Sequence, residues 1–347
     1  MIRILYATRA NLCLRRAHAH NILKTAALLA TDGACEVTIV FSGTQSCTPE
    51  EMMARHGIDV PLVARHARSL TWHIIKNTSA IDILYVRDPR LLCAMIVARL
   101  LGKKVIFEIH GSHEWPFLHW LWRLAFRIAH AHIFITRALR DEYQPREKPY
   151  TIISCAGVDP VAFDVTPTPL RQEYRLSPDA FILLYIGGSQ GIYYDVKILI
   201  DMMALLPRNH LLFLVGLKDA ETGGDHDRVF RIGRVNPAEI PSYLRAADML
   251  LNPKVKGYAG SISSKLYEYL AAGKPIVASV VPADREVLNE QNAMIVEPAA
   301  DAFASAVTEL YENTEKRERL GRQAREDSKK YTWQERQKKL STFIKSV

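Results

Sequence analysis

Apolar residues fall along this chain in short unbroken runs, each followed by a longer stretch where they recur every three or four positions. The runs at 2–7, 36–41, 81–86, 104–109, 131–135 and 151–153 predict strands, and the stretches at 14–30, 50–55, 71–76, 89–101, 117–128 and 137–142 predict helices. Strands that do not alternate apolar with polar residues are covered on both faces, and a helix after each makes them parallel. A second series follows, with strands at 181–186, 211–215, 229–232, 248–251, 275–278 and 293–296. Between the two lies Asp164-Val-Thr-Pro-Thr-Pro-Leu170, whose prolines suit a linker. The fold class is therefore α/β, with doubly wound domains at 1–164 and 165–330. The charged run 312–330 reads as a solvated helix. A last helix, 331–347, has Thr332 and Glu335 at capping-box spacing.

A length of 347 residues also suits two cores, and 48% hydrophobic against 24% charged residues excludes a disordered chain. Five scattered cysteines (Cys13, Cys35, Cys47, Cys93, Cys155) include no C-x-x-C pair, which suggests reduced thiols in a cytoplasmic setting and no zinc site. The first residues read as a strand and not as a signal peptide. The most apolar long segment, 115–135, is broken by Arg123, Arg127 and three histidines (His119, His130, His132), so no membrane span is expected. A net charge of +8 calls for an anionic partner. The basic residues are dispersed and not interleaved with aromatics, so nucleic acid is not that partner.

The most informative stretch is Gly260-Ser-Ile-Ser-Ser-Lys-Leu-Tyr-Glu-Tyr-Leu-Ala-Ala-Gly-Lys-Pro-Ile-Val-Ala-Ser279. It reads as a polar loop, a helix, a tight turn at Gly273-Lys-Pro275 and a buried strand. Ser261, Ser263 and Ser264 are N-cap residue types. A helix N-terminus with hydroxyls, open N–H groups and Lys265 is an anion site. Glu268, one turn on, suits two vicinal sugar hydroxyls. Gly187-Gly188-Ser189-Gln190-Gly191 follows a predicted strand and offers backbone N–H groups to a phosphate, without P-loop or dinucleotide spacing. His110 and Gly111 end the strand 104–109, where open parallel sheets bind ligands. Ser112 and Glu114 come next. Arg9, Arg15, Arg16, His18 and His20 make the first loop basic, and Arg87 with Asp88 ends the strand 81–86, as a site or as a structural pair. Trp120, Arg123 and Arg127 share a helical face suited either to the core or to an anionic membrane interface.

Ser264-Lys-Leu-Tyr-Glu-Tyr-Leu-Ala-Ala-Gly-Lys-Pro-Ile-Val-Ala278 resembles the donor-site motif of the retaining GT-B glycosyltransferases of the group-one family, family 4. The stretches 82–89, 102–111, 134–140 and 156–163 are similar to that family in the same order. The resemblance implies a GT-B fold: two doubly wound Rossmann-like domains facing a cleft, acceptor domain first, nucleotide-sugar domain second, with the last helix crossing back. It implies transfer of a sugar from a UDP or GDP sugar to a hydroxyl of a glycan or lipid-linked acceptor. Anomeric configuration would be retained by front-face attack, with no cofactor and no metal. Family habit places such enzymes in bacterial surface polysaccharide or lipopolysaccharide synthesis, peripheral on the inner face of the membrane.

By the same resemblance His110 and Glu268 are catalytic, His110 hydrogen-bonding the transferred sugar. Gly187, Gly188, Ser189, Arg234, Ser263, Ser264, Lys265 and Glu268 hold the donor nucleotide, and Arg15, Arg16, Arg87, Ser112 and Glu114 face the acceptor. The chain departs from the family where a first glutamate becomes Gly260 and two loop cations become Gly188 and Tyr194, leaving Lys265, Lys254 and Lys256 as substitutes. Two rival readings follow: a non-catalytic nucleotide-sugar-binding subunit, and a nucleotide-sugar epimerase. The epimerase would need further acids, of which Glu108, Glu114 and Asp88 are nearest.

Overall fold

The computed structural model describes residues 1–347 apart from 15, 43–46, 61, 112–118, 145–147, 189–193, 218–226 and 256–261. The chain forms two compact units, Met1–Ala156 with Trp333–Val347, and Gly157–Thr332. The division falls just ahead of the proline-bearing run 164–170.

Seven described strands build the first unit: β1 (Ile2–Thr8), β2 (Cys35–Phe41), β3 (Val63–His66), β4 (Ile83–Val86), β5 (Lys104–Ile109), β6 (Ala131–Phe134) and β7 (Tyr150–Ile152). Their order is β3-β2-β1-β4-β5-β6-β7, all in parallel register. Side chains alternate between faces. Tyr6, Tyr85 and Ile106 pack under the helix Ala17–Ala30 and the last helix, Trp333–Ser346, through Leu340 and Ile344. Leu5, Leu84 and Phe107 pack under the helix Leu92–Leu100 on the other side. Each such fully buried side chain contributes about 1.5–3 kcal/mol.

The second unit has β8 (Phe181–Ile186), β9 (His210–Val215), β10 (Val229–Ile232), β11 (Met249–Asn252), β12 (Ile276–Ser279) and β13 (Met294–Val296), ordered β10-β9-β8-β11-β12-β13 and again parallel. In each sheet the chain works outward on one side and then returns to start the other side. That leaves a topological switch point between β1 and β4, and another between β8 and β11, where ligand crevices form beyond the strands' carboxyl ends. Arg9 and Arg87 follow the first pair of strands; Gly187 and Lys254 follow the second.

Two expectations are corrected. Residues 63–66, Val-Ala-Arg-His, form the edge strand β3, half-exposed and too polar for a buried-strand pattern to reveal. Cys13 and Cys47 are joined in a disulfide across 34 residues, so the cysteines are not all unpaired thiols. Among the described residues no helix is long and apolar enough to cross a membrane.

Candidate functional site

In the second unit the helix Ser264–Ala272 starts at Ser263, whose side chain makes no capping bond, so the first-turn N–H groups lack the expected serine cap. Gly273 ends it in the left-handed conformation, φ 66°, returning its N–H to Leu270. Tyr269 locks the helix to the sheet: its hydroxyl accepts the Ile186 N–H at 3.1 Å and donates to the Leu251 carbonyl at 3.1 Å. The helix N-terminus is thereby fixed beside the ends of β8 and β11.

Lys265 is buried there. Its Nζ donates to Tyr185 Oη at 2.9 Å and lies 4.2 Å and 3.7 Å from the ring centroids of Tyr185 and Tyr194. Among the described residues no carboxylate pairs with it. Burial and the neighbouring Lys254 ammonium push Lys265 well below the ordinary lysine range. Gly187 makes room for it: at φ +139° a side chain is strained, and a Cβ there would stand 2.6 Å from Nζ. Tyr185 Oη donates to the Gly188 carbonyl at 2.8 Å, fixing the turn after β8. Lys254, the other buried ammonium, does have a carboxylate, Asp284 Oδ1 at 3.2 Å, and Asn252 donates to Asp284 Oδ2 at 3.3 Å. Glu268 is half-buried; loss of solvation raises its carboxyl to about 7 while Lys265 opposes the rise. Ser263 and Ser264 sit at the same helix start, and Arg234 is exposed beyond the edge strand β10.

In the first unit His110 follows β5 and is a quarter exposed. Its Nδ1 is 2.9 Å from Arg87 Nη2 and its Nε2 is 2.8 Å from Glu108 Oε1. Burial, then Arg87, lower its pKa to about 4 against the pull of Glu108. Arg87 is therefore buried against Glu108 and His110 instead of lying open to an acceptor, and it does not pair with Asp88. Asp88 pairs with Arg9 at 3.6 Å and Arg90 at 2.6 Å. Glu108, one of the acids an epimerase would need, is 1% exposed and fully engaged. Burial would raise it, yet Arg87, His110 and Arg336 hold it well below the ordinary range. Arg16 is exposed at the start of the helix Ala17–Ala30. His18, exposed in its first turn, has its pKa lowered to about 4 by desolvation, then by Arg87 and His110. Arg15, Ser112, Glu114 and Ser189, with Gly260 and Lys256, lie outside the described residues.

Residues 168–327 match the family described as glycosyl transferases group 1. The match covers most of the second unit. Lys265, Glu268 and Gly187 all fall inside it, as do Lys254 and Asp284. A curated relative, the phosphatidyl-myo-inositol mannosyltransferase of Mycobacterium leprae, is 33% identical over 129 residues. That match spans 35% of this chain and 34% of the relative, so the chain matches about a third of that protein's length. Anabaena HepE in complex with UDP has a TM-score of 0.82 at 16% identity, with all of both chains covered. The same protein with UDP-glucose gives 0.78 at 18%, again over both whole chains. At such identity the likeness shows the fold, which is GT-B.

The matched stretch 168–327 also holds residues that sequence reasoning missed. Tyr185 fell within a predicted strand and Tyr269 within a predicted helix, and Asp284 was not singled out. Outside that stretch, Arg336 of the last helix was not singled out either. Glu108 alone carried a signal: a carboxylate inside an otherwise apolar parallel strand requires partners.

Proposed function

We propose that the protein is a glycosyltransferase that moves a sugar from a nucleotide-diphosphate sugar to a hydroxyl of a glycan or lipid-linked acceptor, retaining the anomeric configuration. One observation carries this reading: in the stretch that matches the group 1 family, a buried Lys265 amine with no carboxylate partner among the described residues stands at the start of the helix Ser264–Ala272, beside the Gly187 turn. Negative charge grows on the diphosphate as the glycosidic bond breaks. A preorganised ammonium and a helix N-terminus stabilise that charge more in the transition state than in the ground state. Lys265 thus takes over from the loop cations that Gly188 and Tyr194 replace, and no metal is required. Glu268, ionised, accepts two ribose hydroxyls, so donor binding draws off the proton that burial favours.

A UDP donor is supported by the UDP and UDP-glucose complexes of HepE, and an anionic lipid-linked acceptor by the mannosyltransferase relative and by Arg9 and Arg16 in the first unit's basic first loop. Retention proceeds by front-face attack of the acceptor hydroxyl on the anomeric carbon. Exposed Trp120, Arg123 and Arg127 on the helix His119–Ile128 support peripheral contact with an anionic membrane. The setting is bacterial surface polysaccharide or lipopolysaccharide assembly.

The test is thermal unfolding with millimolar UDP, GDP, ADP and CDP, wild type beside Glu268→Ala. A ligand at about 100 times its dissociation constant adds roughly 2.7 kcal/mol of stability. One nucleotide that stabilises the wild type and not the variant names the base. No shift with any of them removes the reading.

A further inference from the structure

Glu108 sits near the end of β5, between β4 and β6, and its carboxylate is out of water. An ion there is tolerated only if it is paired and hydrogen-bonded. Tyr85 Oη, from β4, donates to Oε2 at 2.5 Å. Arg87 Nε stands 3.8 Å from Oε2 and Arg336 Nη2 stands 3.6 Å from Oε1. Both arginine side chains are buried, at 8% and 2% exposure. Arg336 belongs to the last helix and is itself oriented, its Nε donating to the Ser154 carbonyl at 2.8 Å. That helix is docked by Leu340, Phe343 and Ile344 in the core, by Gln337 Nε2 donating to the Leu28 carbonyl at 2.6 Å, and by Lys345 on Asp32.

The same carboxylate decides the chemistry of His110. A guanidinium only donates, so the Arg87 contact makes Nδ1 an acceptor without a proton. The neutral ring then carries its proton on Nε2 and donates it to Glu108 Oε1.

We propose that Glu108 and Arg336 are positioning residues that, with Arg87, hold His110 as the neutral tautomer protonated at Nε2. This rests on the glycosyltransferase reading and deepens it. With both nitrogens engaged inside the first unit, His110 enters the reaction as an oriented neutral ring and not as a general base. The last helix, through Arg336, is a structural condition for that orientation.

Nitrogen-15 NMR of the full chain labelled at histidine reads this directly, with His110 assigned by its absence in His110→Asn. The expected wild-type signals are a protonated Nε2 and a bare Nδ1, with no titration down to about pH 5. Arg336→Gln should shift or broaden those signals and lower kcat by about 10- to 100-fold, while the donor KM stays within about threefold. Arg336→Lys should recover part of the rate and the signals, and Lys339→Ala, exposed on the same helix, should change neither. A proton on Nδ1, ordinary titration of His110 in the wild type, or a kcat loss with unmoved His110 signals would each overturn the proposal. If Arg336→Gln does not fold, Glu108→Gln is read by the same two measurements. If the wild type transfers no sugar from any donor, the enzyme reading fails on its own, and the tautomer still decides the positioning claim.

Discussion

The Nζ of Lys265 lies 3.7 Å from the centroid of the Tyr194 ring, so the amine is stored against an aromatic face. A ring can shield a cation, but it cannot neutralise it. An incoming anion would supply the charge that the ring does not.

Lys265→Met should weaken nucleoside diphosphate binding by roughly 10- to 100-fold, the equivalent of a charge-assisted bond at about 1.5–3 kcal/mol. The ligand-free variant should be no less stable than the wild type, because a buried ammonium with no carboxylate paired to it among the described residues costs solvation energy. Calorimetric titration with UDP and a melting curve check both halves. A large drop in ligand-free Tm would show that Lys265 is structural.

Gly187 and Gly188 should respond differently to alanine. At Gly187 the backbone is strained for any side chain, and the added Cβ would displace the Lys265 ammonium. Gly187→Ala should therefore cost about 1–3 kcal/mol and most of the nucleotide affinity. At Gly188 nothing lies within 4 Å of an added Cβ, and Gly188→Ala should melt within about 0.5 kcal/mol of the wild type. Urea unfolding of the two variants makes the comparison.

Glu268 gives a pH dependence of definite sign. Its folded pKa, about 7, lies above the ordinary 4.5, so the folded protein keeps a proton that the unfolded chain has released. Its contribution to stability therefore falls as pH rises from about 4.5 through about 7, and Glu268→Gln removes that slope. The gap in Tm between wild type and variant, followed across this window, isolates the effect from the histidines, whose lowered values act in the opposite direction. Nucleotide affinity should rise over the same window in the wild type alone.

Lys254 and Asp284 form a buried pair at the end of β11. Asp284→Asn strips Lys254 of that carboxylate and should cost about 3–5 kcal/mol. The double variant Lys254→Met, Asp284→Asn should recover much of the loss, since both charges then leave the interior. A double-mutant cycle by chemical denaturation measures the coupling. Additive losses would mean that the two do not act as a pair.

Local chemistry carried most of the architecture. Unbroken apolar runs separated by helical periodicity sufficed for two parallel sheets, because strands buried on both faces must be apolar throughout. Gly273 and Pro275 marked the end of the helix Ser264–Ala272 for equally local reasons: a left-handed residue and a ring that cannot continue a helix. The segment with Lys265 and Glu268 was legible because its elements are contiguous in the chain.

What depended on docking was not legible. The strand β3 belongs to the first sheet although its side chains lack a buried pattern, since an edge strand needs only a partner's backbone. The Cys13–Cys47 disulfide, the Tyr194 ring over Lys265, and Arg336 against Glu108 join positions distant in the chain. Periodicity reports which face of one element is apolar. It does not report which charged side chain of another element arrives there, and only the folded packing, by removing water around Glu108 and Lys265, made those partners matter.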